Sequence, residues 1–394
     1  MHVIHIAVIS DLHFGHPKLP SKQLYIRLMK YFMPIAKEMH LILIGGDIYD
    51  QLLSVNSQAY FWASTFLYDL IVLSSTTGAQ VRFLHGTYSH DRSQLEVINT
   101  YKYPNSRVGV VSNIAVEELH DFRCNNHVDK DTTIKIGYLP DNLAYRSSAS
   151  ALGHLKQEMD LKGWTILDAL LGHGNLDYTL PSSALLTNPV VYTTEQLRQL
   201  VTGPIFMGHV HTHSNVDGIT YTGSFDRFAH NEEEPKGFYT FEYKDNTTWK
   251  YTFHENLDAT AFKSITIDPV DPEGIYDILK SKIDHAFPAE KSGYVRILSP
   301  SSEVRSIARQ LVVDHYPNLT VTTKASSYIS EDKLLPKERH NLTSMLDALA
   351  SLSSNDLNPD HLPELVVANL EERNLLKDIS QQEMQEAVKS ILST

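Results

Sequence analysis

Apolar runs that stop abruptly at polar or glycine residues organise this chain. Residues 2–9, His-Val-Ile-His-Ile-Ala-Val-Ile, predict a first strand. Leu41-Ile42-Leu43-Ile44 predicts a second, apolar throughout as a buried strand must be. Between them, Leu24, Leu28, Met29 and Phe32 fall at helical spacing and predict a helix over 21–39 that Pro34 kinks or ends. A helix over 57–73, apolar on most sides, and a strand over 79–84 follow. Arg107–Val111, Ile114–Leu119 and Ile134–Leu139 predict short strands of a second sheet. A helix over 148–161 leads to a strand over 166–171, and a short helix over 194–201 precedes a strand over 204–206. Ile219–Tyr221, Gly237–Tyr243 and Thr248–Phe253, the last two turning at Asp245-Asn246, predict consecutive antiparallel strands.

Strands alternating with helices, then a run of strands, predict an α/β fold of two packed sheets with helices outside. The composition shifts near Asn256, so the first domain is expected to span 1–257. Residues 262–325 predict a separate α+β module, strand-helix-strand-helix-strand, suited to cap the first domain. Residues 331–394 hold three helical stretches (341–352, 362–375 and 381–392) in a short, acidic segment. Such a segment buries little by itself, so it is expected to dock on a partner or on the cap.

Composition narrows the function. The chain has 394 residues, 42% of them hydrophobic, enough for one large domain and a smaller one without staples. Its single cysteine, Cys124, excludes an intrachain disulfide and argues against thiolate metal chemistry. No basic leader, cleavage pattern or membrane-length run is visible, so a soluble, cytoplasmic protein with no membrane role is expected. Thirty-four basic against 47 acidic residues give −13, which argues against a free-standing nucleic-acid binder. The 20 histidines exceed what any single site uses.

The chemistry sits where the strands stop. The first is followed by Asp11-Leu12-His13, the second by Gly45-Gly46-Asp47, and later ones by His173 and by His209-Val210-His211. Asp11 and His13 lie two apart and share one side of an extended segment, although Asp11 alone also suits a turn that bonds its own backbone. Together these residues form a mixed oxygen and nitrogen donor set without sulfur, which suits Mn²⁺ or Fe²⁺ better than a structural zinc. Two ions sharing a carboxylate sit about 3.5–4 Å apart in hydrolytic sites and lower the pKa of bound water. Such a site would be a positive pocket inside an acidic protein, open to an anionic phosphate.

Taken in order, Asp11-x-His13, Gly45-Gly46-Asp47-x-x-Asp50, Ser89-His90-Asp91, Gly172-His173-Gly174 and Gly208-His209-Val210-His211 resemble the calcineurin-type metallophosphoesterase superfamily. Tyr221 to Arg227, followed by Glu233-Glu234-Pro235-Lys236-Gly237-Phe238, is similar to the segment after the last histidines in SbcD-type DNA-repair nuclease subunits, including phage recombination versions. The similarity runs over residues 1–255 in motif order. It implies a four-layer α-β-β-α sandwich with a C-terminal cap and helical tail, and a Mn²⁺-dependent (or Mg²⁺-dependent) DNA exonuclease and endonuclease. The implied partners are DNA and an SbcC-like coiled-coil ATPase, with a homodimer inside a heterotetramer. It further implies that Asp11, His13, Asp47 and His211 hold one ion and that Asp47, His173 and His209 hold the other. His90 would protonate the leaving oxygen with Asp91 orienting it, and Asp50 would support the ligands from behind. The family's Gly-Asn-His-Asp is Gly86-Thr87-Tyr88-Ser89-His90-Asp91 here, so the second ion's coordination is expected to be completed by Ser89, by water, or from Thr87 or His85. Arg92 and Arg227 are expected to contact phosphate, since Arg suits bidentate recognition, and His16 and His213 to lie at the rim. Two other readings remain open: a phosphomonoesterase or small-molecule phosphodiesterase, and a scaffold with a decayed site.

Overall fold

A computed structural model of the chain describes residues 3–91, 93–101, 103–141, 145, 147–180, 190–244, 248–267, 274–287 and 292–325. Arg92, the turn at 245–246 and the helical tail expected over 331–394 lie outside the described residues.

The fold is mixed α/β, with two six-stranded sheets. The first runs Thr248–Glu255, Gly237–Lys244, Ile4–Ile9, Leu41–Ile44, Gln80–Leu84, Arg107–Val111. The second runs Ser214–Val216, Ile219–Tyr221, Ile205–Gly208, Ala169–His173, Ile134–Leu139, Ala115–Leu119. In the first sheet Ile4–Ile9 and the three strands after it are parallel, and in the second Ile134–Leu139, Ala169–His173, Ile205–Gly208 and Ile219–Tyr221 are parallel.

The alternation of side chains explains why the central strands are apolar throughout. In Ile4–Ile9, Ala7 and Ile9 face a core built with Leu24, Phe32, Phe66 and Leu70 from the helical segments at 21–36 and 58–77. Ile6 and Val8 enter a second core that also takes Ile136, Tyr138, Leu171 and Phe206 from the second sheet. Leu41–Ile44 divides in the same way, Ile42 and Ile44 to one core and Leu41 and Leu43 to the other. Leu170, Ile205 and Met207 turn to a third core against Leu155, Met159 and Leu197 of the helices Ser148–Leu161 and Thr194–Arg198. Helix Gln58–Thr77 is held at both ends: Ser57 accepts from Tyr60 N at 3.1 Å, and Gly78 closes it at φ 82°. The segment expected to be one kinked helix is α-helical over Ser21–Arg27 and Met33–Ala36, with a π turn at Leu28–Phe32 just before Pro34. A proline lacking its N–H loosens the ladder there.

Two strand assignments differ from the pattern-based expectation. Arg107–Val111 joins the first sheet, parallel to Gln80–Leu84, rather than the second. Ile219–Tyr221 lies parallel to Ile205–Gly208 in the second sheet, while Gly237–Lys244 pairs antiparallel with Ile4–Ile9 in the first.

Ala261–Thr266, Gly293–Leu298 and Leu319–Lys324 form a parallel three-stranded sheet. It is packed on helices Ile275–Ala286 and Ser302–His315 around its own core of Ile265, Leu279, Val295, Ile297 and Leu311. Tyr294 stacks on Phe262 at 4.6 Å and donates its hydroxyl to Lys18 O at 2.8 Å, tying this sheet to the loop after the first strand. Fully buried Asp226 ties it a second time, accepting from Arg27 and, at 2.7 Å, from Thr260 N. Among the described residues no helix is long and apolar enough to cross a membrane.

Candidate metal centre

The parallel strands Ile4–Ile9, Leu41–Ile44, Ala169–His173 and Ile205–Gly208 deliver their C-terminal ends to one place. The loops there interlock through the backbone: Asp11 N donates to Gly46 O (3.0 Å), and Leu12 N and His13 N to Asp47 O (2.9 and 3.0 Å). Asp11, His13, Asp47 and His209 all have positive φ, at 54°, 51°, 51° and 92°. A non-glycine residue held there costs about 1–3 kcal/mol, so four such residues at one sheet rim mark strain stored at a site. Gly46, at φ 94°, is required by contact as well, since a Cβ would lie 2.6 Å from both His173 Nδ1 and Gly86 Cα.

Two groups of side chains result. Asp11, His13 and His211 bring ligand atoms within 4.8 Å of one another, and so do Asp47, His173 and His209. Asp47 lies between the groups: its Oδ2 is 3.3 Å from His173 Nε2 and 3.9 Å from His13 Nε2. These are the six residues expected at the strand ends, brought together from both sheets. His209 N–H donates to both oxygens of Asp11 (3.0 and 3.1 Å), and the Ser10 hydroxyl donates to Asp11 as well, which fixes that carboxylate.

The imidazoles are oriented from behind. His173 Nδ1 donates to Gly45 O at 2.7 Å, His211 Nδ1 to Glu232 at 2.9 Å, and His13 Nδ1 faces Asp50 Oδ1 at 3.4 Å. Each leaves Nε2 for the centre. His13 Nε2 and His211 Nε2 then meet at 3.1 Å. With both Nδ1 atoms turned to carboxylates, the two Nε2 atoms face one another, and a divalent cation can accept both lone pairs at once. Ligands at about 2.1 Å on perpendicular axes of one ion lie about 3 Å apart. The donor set therefore fits a metal. A third group, His13, Asp50 and His90, also lies within 4.8 Å, and it reflects Asp50 supporting His13.

Burial works against ionising Asp47, but the imidazoles of His173, His13 and His90 outweigh it and hold the carboxyl well below its usual range. Burial alone would lower His173; Asp47 and Asp11 raise it instead. His209 is pushed down to about 4 by burial and by His173. Burial lowers His211 and Glu232 raises it, to a net rise. Glu232 itself is held at about 2, because His211 and Lys236 overcome its burial.

Other expected residues sit differently. His90, in the single turn Tyr88–Asp91, lies edge-on to His13 at 4.9 Å, and its Nδ1 donates to the backbone oxygen of Asp50. Asp91 does not orient it. Its fully buried carboxylate accepts from the N–H groups of Gly86, Asp47, Ile48 and Tyr49, pinning two strand-end loops together. Ser89 is exposed, and Thr87 reaches the second group instead. His85 turns to Glu96, His213 stacks on Phe253, and His16 packs on Phe228. The guanidinium of Arg227, expected on phosphate, is taken up by carbonyls: Nη2 donates to Glu234 O (2.8 Å), and Nη1 lies 3.4 Å from both Ala259 O and Thr260 O. Accordingly Arg227→Gln is expected to lower unfolding free energy by about 1–3 kcal/mol in urea titrations. KM for any phosphoester cleaved should not move; a raised KM at unchanged stability would return Arg227 to substrate contact.

Sequence reasoning missed Glu232 and Phe228, and it named Lys236 only within the motif, with no role. Lys236 is 1% exposed and bonds Glu234 (2.5 Å) and His211 O (2.9 Å), with Glu232 at 3.3 Å. Phe228 packs its ring against His13 and His211 at 5.0 and 5.3 Å. Three consecutive glutamates, 232–234, give no sign of which one turns inward. Comparison of the sequence with protein-family models and with curated proteins returns no match.

Proposed function

We propose that this chain is a two-metal phosphodiesterase of the calcineurin-like metallophosphoesterase type, acting on DNA as SbcD-type nuclease subunits do. The observation that carries this reading is the pair of ligand groups with Asp47 between them and His90 beside them. Manganese suits the mix of imidazole and carboxylate donors. Bound divalent ions would supply hydroxide at neutral pH and neutralise phosphate charge. The chain's own residues do the rest. Asp11, His13, Asp47 and His211 would hold one ion; Asp47, His173 and His209 would hold the other. His90 keeps its Nδ1 hydrogen on the Asp50 carbonyl, so Nε2 is the atom that would take up a second proton from solvent and hand it to the leaving oxygen.

The order of the cores, helices on sheet, sheet on sheet, sheet on helices, supports a four-layer sandwich with the three-stranded module as its cap. A net charge of −13 gives little unaided grip on DNA. That fits a role beside an SbcC-like ATPase that brings the electrostatic affinity, in a homodimer-based heterotetramer. The same charge favours the second reading, a small phosphoester as substrate.

The test is a cleavage time course on an end-labelled linear duplex with Mn²⁺, Mg²⁺ or EDTA, beside a phosphomonoester control. The wild-type chain should cut with Mn²⁺ and stop in EDTA. His90→Ala should cut about 10²–10⁴ times more slowly while its Mn²⁺ uptake is unchanged. Rapid phosphomonoester turnover with intact DNA would reassign the substrate.

A further inference from the structure

The second ligand group has a fourth polar neighbour, Thr87, one of the candidates the sequence offered. Counting back from His90-Asp91 points to Ser89, yet Ser89 is exposed and Thr87 faces the centre. The backbone explains the exchange. Gly86 passes so close to the second strand end that a Cβ on it would lie 2.2 Å from both Asp47 N and Asp47 Oδ1. The chain then turns: Thr87 O accepts from His90 N (2.9 Å) and Asp91 N (3.1 Å), opening the turn that carries Ser89 outward. Thr87 N is left donating to Asp47 Oδ1 at 2.5 Å, and its hydroxyl lies 3.2 Å from Asp47 Oδ2 and 3.4 Å from both His173 Nε2 and His209 Nδ1. Asp47 Oδ2 and His173 Nε2 are themselves 3.3 Å apart. Four of the six edges among these atoms are thus 3.2–3.4 Å, and a regular tetrahedron of edge about 3.3 Å encloses a point about 2.0 Å from each corner, a metal–ligand distance.

Resting on the two-metal reading above, we propose that the Thr87 hydroxyl is the fourth protein ligand of the second ion, and that it makes this ion the weaker of the two. The first group has a carboxylate of its own, Asp11, besides a share of Asp47. The second has only its share of Asp47, two neutral imidazoles and an uncharged hydroxyl. Hard divalent cations bind more weakly as ligand charge falls. The two groups are therefore expected to take up ions in two separable steps. Thr87 ligates without a proton change at the hydroxyl, since an alcohol oxygen keeps a lone pair for the ion while its hydrogen turns to a neighbouring acceptor.

The experiment is Mn²⁺ titration of the full chain, followed by calorimetry and by the electron paramagnetic resonance signal of free Mn²⁺. Wild type, Thr87→Val, Thr87→Ser and Ser89→Ala are compared, with thermal melts to confirm folding. Wild type should bind two ions at affinities at least about tenfold apart. Thr87→Val, which keeps shape and backbone N–H, should weaken the second step about 10- to 100-fold and leave the first unchanged. Thr87→Ser should restore the step, and Ser89→Ala should not alter it. Two bound ions with a second step indifferent to Thr87→Val would overturn this proposal and leave the two-metal reading intact. A wild-type chain that takes up no Mn²⁺ would overturn both. Two ions with the expected Thr87 dependence, but no DNA cut, would support Thr87 and refute only the nuclease assignment.

Discussion

Asp47→Asn is expected to lower phosphoester turnover at least about 10³-fold, equivalent to roughly 4 kcal/mol of activation energy, and to abolish uptake of both ions. Asp47 lies between the two groups: its Oδ2 stands 3.3 Å from His173 Nε2 and 3.9 Å from His13 Nε2. Asparagine keeps the shape, and it tolerates the 51° φ at this position as well as aspartate does, so the fold should survive. What is lost is the negative charge between two sites that would otherwise bring two dications close together. Stability supplies an independent readout. A ligand at 100 times its Kd stabilises the native state by about 2.7 kcal/mol per site. The wild-type melting temperature should therefore rise with Mn²⁺ and fall back with EDTA, while the variant's should respond to neither. A variant that still took up two Mn²⁺ ions would show that the groups do not depend on Asp47 and would remove the main support for the mechanism.

How far the sequence alone reached follows from what each kind of residue reveals. Leu41–Ile44 is apolar at every position because both its faces are buried, so its central place and the delivery of Asp47 just beyond its end were readable. The side chains of Arg107–Val111 are all half-buried, so no periodicity told which sheet it would join. Pairing across a sheet is a non-local choice, and the expected antiparallel meander after His211 divided between two sheets for the same reason. At the site, residue type and strand-end position singled out the six residues that the fold gathers into two groups able to hold a metal ion. Counting along the chain failed at Ser89 because the tight turn after Gly86 changes which side chain points inward. Arg227 and Asp91 show a further limit. A guanidinium and a carboxylate near a phosphate-type motif suggest chemistry, but here both are consumed by backbone groups whose positions only the folded chain defines.

That consumption sets the second large effect, at Asp91. Asp91→Asn is expected to cost about 3–5 kcal/mol of stability, far more than an orienting residue at a solvent-facing acid would. The carboxylate is fully buried. Its Oδ2 accepts from Gly86 N at 2.8 Å and Asp47 N at 2.9 Å, and its Oδ1 from Ile48 N at 2.9 Å and Tyr49 N at 3.2 Å. Burial and the neighbouring Asp47 push this carboxyl upward, and the backbone donors pull it back. An amide in its place accepts on one oxygen only, and its NH₂ would confront two N–H groups, donor against donor. Because those N–H groups belong to the residues that aim Asp47 and open the Thr87 turn, the damage should spread to the metal groups. Urea unfolding at unchanged m-value, read with Mn²⁺ titration, checks both parts: the midpoint should fall and Mn²⁺ affinity should weaken together. If instead stability held and only the pH profile of turnover changed, Asp91 would be acting through His90 after all, and the backbone clamp would lose its claim.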